Sequence, residues 1–185
     1  MKKRHILFNT TILLALPTGT AAAAPQKGFS LDFGIARHTI KPDCYLCVTS
    51  TRGNSYGMDV QIPVSDKLSI NPFLMMSSEF TNVNIPDSKV SANHMILGVQ
   101  LRYWVNNIFF GGHVGRYVES IEISSGPKLS YVSGGGWGLG LVAGWESPNS
   151  GWYMMGQVDS AVLKYLSPPD NKLSGFRLSV GYRWK

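Results

Sequence analysis

Cys44 and Cys47 are the only cysteines in the 185-residue chain. Two residues apart, they could form a disulfide, a thioredoxin-like redox pair or part of a metal site. A redox pair wants a helix N-terminus to lower a thiol pKa, and no helix signal follows Cys47. A metal site needs three or four ligands, and only His38 and Asp43 stand close by in sequence. Acyl transfer would require a nucleophile, a base and an oxyanion donor on one wall. His38, His94 and His113 lie in His38-Thr39-Ile40, His94-Met95-Ile96 and His113-Val114-Gly115, none with a serine two residues on. Ion pairing is the remaining chemistry, with Asp32, Asp59, Glu79, Glu119, Glu146 and Asp159 set against Arg102, Arg177 and Arg183.

These groups sit in segments that alternate apolar with polar or small residues, the period of a β-strand. Eight runs follow one another, at 28–38, 54–64, 68–80, 94–105, 108–121, 135–146, 152–165 and 174–184. The last places Phe176, Leu178, Val180, Tyr182 and Trp184 on one face and Arg177, Ser179, Gly181 and Arg183 on the other. No helical spacing competes over these windows, so the fold class is all-β.

Composition agrees. The chain is 44% hydrophobic and 15% charged, with 20 glycines and 21 aromatics, which excludes disorder and a charged helical bundle. Residues 1–24 have the form of a secretory signal peptide, with Lys2-Lys3-Arg4, an apolar stretch from Ile6 to Leu16, a Pro17-Thr18-Gly19 break and Ala22-Ala23-Ala24 for cleavage. That stretch is too short to span a bilayer, which takes roughly 20 apolar residues. Residues 25–185 are then the exported domain. Removing the signal lowers the formal charge from +6 to about +3, scattered too thinly to suggest nucleic acid.

Short connections (Ser65-Asp66-Lys67, Asn106-Asn107 and Ser147 to Gly151) alternate with longer ones expected at 39–53, 81–93, 122–134 and 166–173. In an eight-stranded antiparallel up-and-down barrel, this puts all short turns and both termini at one end. Alternation alone does not say which face meets solvent. The glycines share the polar face with the charges, and eight strands enclose little more than side-chain volume, so that face belongs inside. Large aromatics on the apolar face (Tyr103, Phe110, Trp145, Trp152, Tyr182, Trp184) gather near the short turns, with Tyr56, Phe80 and Trp137 toward the other end. Amphipathic rings suit a membrane–water interface. The expectation is a transmembrane β-barrel; a periplasmic lipocalin-like carrier with its apolar face inward is the alternative.

With these features the chain resembles the small eight-stranded outer-membrane proteins, the group of the OmpA barrel, OmpX/Ail and the opacity proteins. The C-terminal strand is the most specific piece: Phe176, Leu178, Val180, Tyr182 and Trp184 look like the signal read by the outer-membrane assembly machinery, although Lys185 follows the terminal aromatic. The resemblance implies outer-membrane location, lipid and lipopolysaccharide as partners, and no cofactor. Some barrels of this size modify lipid A, but the His-x-Ser signature of the deacylases is absent, so such an enzyme stands as the alternative to a non-catalytic barrel.

Depth counting along the strands pairs Asp159 with Arg177, and Asp32 with Arg183, inside the lumen as a register-fixing polar core. Arg37, Arg116 and Lys164 break the apolar pattern toward the long-connection ends, where they are candidates for lipopolysaccharide phosphates. In an exported chain Cys44 and Cys47 are expected to form a disulfide. The four long connections are expected to display any external binding surface, in an envelope-integrity or surface-contact role.

Overall fold

The computed structural model describes residues 25–41, 50–81, 88–125, 128–165 and 171–185. They form eight strands: β1 (Gly28–Lys41), β2 (Ser50–Ser65), β3 (Leu68–Thr81), β4 (Ser88–Val105), β5 (Ile108–Ser125), β6 (Lys128–Glu146), β7 (Trp152–Tyr165) and β8 (Asn171–Trp184). Each pairs antiparallel with its sequence neighbours, and β8 returns to β1, so the sheet closes into a barrel. Closure removes both sheet edges, which in hydrocarbon would leave unpaired backbone groups.

At the short-turn end Asn106 takes a positive φ of 54° and Gly151 one of 76°, the left-handed conformation that Asn and Gly adopt most readily. The β2–β3 ladder has a gap between Asp59↔Phe73 and Ile62↔Ile70, where Pro72 offers no N–H.

The expected long connections require correction. β1 runs to Lys41, β2 starts at Ser50, and the stretch 122–134 is almost wholly strand, with β5 ending at Ser125 and β6 starting at Lys128. The ladder pairs residues out to Ser125↔Lys128 although the apolar–polar alternation is not kept in that stretch of sequence.

The apolar face points outward. Leu139 and Leu141 are 65% and 64% exposed, and Leu178 and Val180 48% and 50%. At the short-turn rim Phe29 stacks on Trp184, and Tyr182 meets Trp184 and Trp152 edge to face, at centroid distances of 6.0, 5.0 and 5.4 Å. A soluble carrier would show the reverse arrangement, and its expected cavity is absent from the described interior. That interior is filled. A pocket among Asp32, Asp59, Met75, Gln100, Arg102 and Arg177 measures only about 10 Å³, at most one water.

The lumen is not reserved for small residues as the alternation suggested. Trp104, Phe109, Val142, Tyr153 and Met155 form one buried apolar cluster, and Phe73, Met75, Ile96, Tyr117, Ala161, Leu163 and Leu173 form another. The rings fit because glycines lie beneath them. A Cβ on Gly144 would meet Phe109, one on Gly138 would meet Tyr117, and one on Gly181 would meet Tyr153. Trp104 packs on Phe109 at 5.0 Å and donates its indole N–H to Ser69 Oγ at 3.2 Å.

Candidate functional site

Antiparallel registers carry inward side chains from all eight strands into one column, where charged groups must find partners or incur several kcal/mol of desolvation. The column has two layers. Nearer the short turns, Asp32, Asp59 and Glu146 face Arg102, Arg177 and Arg183, all buried. Asp59 accepts from Arg102 Nη2 at 2.9 Å and lies 3.4 Å from Arg183 Nη2, while Asn71 Nδ2 adds a bond at 3.2 Å. Arg183 also pairs with Glu146, and Arg177 with Asp32. Tyr153 donates its hydroxyl to Asp32 at 3.1 Å, and Arg177 Nε donates to Ser55 Oγ at 2.9 Å. The guanidiniums of Arg102 and Arg183 lie over the rings of Phe109 and Tyr153, at 4.8 and 5.3 Å.

The partners therefore differ from those expected. Arg177 pairs with Asp32 rather than Asp159, and Arg183 pairs with Asp59 and Glu146 rather than Asp32. Depth counting compared residues level with one another on neighbouring strands, whereas Asp32 on the adjacent β1 lies four residues from Ala36, the register partner of Arg177. Arginine side chains span the bore, so Arg177 on β8 reaches Ser55 on β2, whereas its register partner on β7 is Gln157.

The layer toward the outer hairpins holds the other three carboxylates with histidines instead of arginines. His113 Nε2 lies 2.8 Å from Asp159 Oδ1, which also accepts from Tyr117 at 3.0 Å and Gln157 at 2.9 Å. Glu79 accepts from Thr51 Oγ1 at 2.5 Å and Ser77 Oγ at 2.7 Å, and it bonds His38 Nδ1. His94 stacks against His38 with ring centroids 4.2 Å apart. Its Nε2 is 3.8 Å from Glu79 Oε2, and its Nδ1 is 3.5 Å from Glu119 Oε1. The hydroxyls of Thr51 and Ser77 bond the Glu79 carboxylate and not an imidazole. Sequence reasoning treated His38 and His94 singly. Their shared inward parity was the available signal, but β1, β3 and β4 meet only in the closed barrel.

The three pattern-breaking cations face outward and are exposed. Arg116 reaches over Gly135, its Nη2 3.2 Å from where a Cβ would stand, and Gly135 is the register partner of Lys164. Arg37 is on the other side of the barrel, directly opposite Arg52 on β2, with Nε donating to Ser50 Oγ at 3.1 Å. Arg52 was missed because its segment was taken for a connection; it shares the outward parity of Tyr56 and Met58. On β8, Phe176, Leu178, Val180 and Trp184 are exposed outward with Tyr182 half-buried beside them. Lys185 Nζ donates to Pro148 O at 3.1 Å. Cys44 and Cys47 lie outside the described residues.

No family model matches the sequence, and no curated protein matches it. Solved structures do. Ail, the attachment invasion locus protein of Yersinia pestis, is 14% identical, covering 86% of this chain and 99% of its own, with a TM-score of 0.62. Neisserial surface protein A is 11% identical over 85% and 96%, with a TM-score of 0.57. The fold is that of the small eight-stranded outer-membrane barrels. OprG of Pseudomonas aeruginosa, an outer membrane protein, is 14% identical over 89% and 99%, with a TM-score of 0.50. Ail has also been solved with the heparin analogue sucrose octasulfate, and that structure gives a TM-score of 0.63 at 14% identity over 86% and 99%. With an apolar wall around a charged, packed interior, the barrel presents to its surroundings the face of one that crosses a bilayer on strands.

Proposed function

We propose that the protein is a non-catalytic outer-membrane barrel whose working surfaces are two outward cation clusters and the outer hairpins, with lipopolysaccharide as the primary partner. The observation that carries this is the arrangement of like charges. Arg37 faces Arg52 across one strand pair, and Arg116 leans toward Lys164 on the far wall. Like charges directly opposed on a sheet repel, and an anion between them turns that cost into charge-assisted hydrogen bonds. Phosphate groups at the lipid headgroup level fit both places. The sucrose octasulfate complex of Ail supports polyanion contact by a barrel of this architecture.

The test is thermal unfolding in detergent, followed by heat-modifiable gel migration, with and without added lipopolysaccharide. Wild-type protein gains several degrees. The quadruple variant R37Q/R52Q/R116Q/K164Q loses most of that gain, with apparent affinity lowered about tenfold or more, equivalent to ~1.4 kcal/mol. Dephosphorylated lipopolysaccharide gives wild type only the variant's response. An undiminished gain in the variant sinks the proposal.

The outward row of β8 is proposed as the strand read by the outer-membrane assembly machinery, and the hairpins as the surface for any external ligand. Cys44 and Cys47 are proposed to be disulfide-linked, so an alkylating reagent adds mass at both only after reduction.

A further inference from the structure

The inward charges of the described strands divide unevenly by kind. Around Asp32, Asp59 and Glu146 stand three arginines, whereas the described ion-pair contacts of Glu79, Glu119 and Asp159 are with His38, His94 and His113. The first layer is compensated by permanent charge. The described contacts of the second are to imidazoles, hydroxyls and Gln157.

Within that second layer, one ligand atom each from His38, Glu79 and His94 lies within 4.8 Å of the others, all three residues buried. His94 is the telling member. Neither of its nitrogens makes a hydrogen bond, although the side chain is buried and both nitrogens face carboxylates at 3.8 and 3.5 Å. A buried polar atom without a hydrogen bond is costly, and here one ring carries two. We propose that His38, Glu79 and His94 form a binding site for a divalent transition-metal cation, zinc being the reference ion.

The chemistry fits the ligands. Two imidazole nitrogens and a carboxylate oxygen are a standard zinc set, at ~2.0–2.2 Å from the ion, and Glu119 Oε1, 3.5 Å from His94 Nδ1, faces the ring's other nitrogen, where a carboxylate orients a ligating histidine. Small side-chain shifts bring the three atoms onto one ion. Thr51 and Ser77 already hold the Glu79 carboxylate by hydrogen bonds, the outer support that ligating carboxylates use. Gly175 leaves the space that His38 occupies: a Cβ there would stand 2.5 Å from His38 Cδ2. A dication held there ties β1, β3 and β4 together. Softer or more strongly bound ions of the same series, such as copper or nickel, would compete for imidazole ligands.

The experiment uses untagged protein carrying C44S/C47S, so that thiols cannot account for uptake, folded in detergent and stripped with chelator. Titration with zinc chloride is followed by calorimetry, and cobalt is added in parallel for its visible ligand-field bands. The expected result is one ion per chain with a dissociation constant in the micromolar range or tighter. Cobalt bands of low-symmetry form appear, and the thermal midpoint rises with ion concentration. His94→Phe, which keeps a ring beside His38 and leaves the Glu79 hydrogen bonds in place, weakens binding at least a hundredfold while heat-modifiable migration shows a folded barrel. His94→Gln serves as the second variant and gives the same loss. Absence of saturable uptake by the parent protein, or equal uptake by folded His94 variants, overturns the site and leaves a hydrogen-bonded histidine cluster.

Discussion

Asp59 answers two arginines at once, with Arg102 and Arg183 both on its carboxylate and Asn71 completing the contacts. Asp59→Asn removes the charge and keeps the shape, so it strands two buried guanidiniums and should cost about 3–5 kcal/mol in urea unfolding from lipid vesicles. Tyr153→Phe, which removes one hydroxyl donor from Asp32, should cost only about 1 kcal/mol in the same assay. Gly140 tests space instead of charge. A Cβ there would meet His113 Cε1 and stand 2.8 Å from Asp159 Oδ1, so Gly140→Ala should destabilise by about 1–3 kcal/mol. At this scale the sequence told which residues face inward and not whom they meet. Asp32, Asp159, Arg177 and Arg183 all lie in the lumen as their parity required, but partners were exchanged because long side chains reach past their register partners, Arg177 to Asp32 on the adjacent β1 and Arg183 across the bore to Asp59 on β2 and Glu146 on β6. The histidine cluster escaped notice for the same reason: His38, Glu79 and His94 become adjacent only when three strands of the closed sheet are assembled.

At the scale of the element, the wall of the barrel sets a depth-dependent rule. Leu139 is 65% exposed in the middle of β6, and Leu139→Arg should lower stability by roughly 2–4 kcal/mol in lipid vesicles. Ser174→Arg, outward on β8 above the apolar band, should change it by only ~0–1 kcal/mol. Equal effects at the two positions would contradict the placement of the band. All eight strands were legible because a sheet with one face in hydrocarbon and the other in a polar lumen writes a period of two directly into the residues. Their outer ends were not. From Ser120 to Gly134, serines, lysine and glycine obscure the alternation, yet β5 and β6 continue to Ser125 and from Lys128. The missed Arg52 follows from the same error, since a connection has no parity.

For the whole molecule, closure and filling act together. Eight strands leave a bore that the arginine layer, the two apolar clusters and the histidine layer occupy, so reconstitution into planar bilayers should yield no nanosiemens conductance steps. Regular open-channel steps of that size would require the column to part. Among the five tryptophans, Trp104 alone turns to the interior, buried over Phe109, while Trp137, Trp145, Trp152 and Trp184 look outward. The molecule thereby carries its own internal reference dye. In vesicles whose acyl chains bear bromine, the four outer indoles dim by contact and the emission that survives comes from position 104, so a disturbance deep in the packed axis can be watched through light that the lipid cannot extinguish.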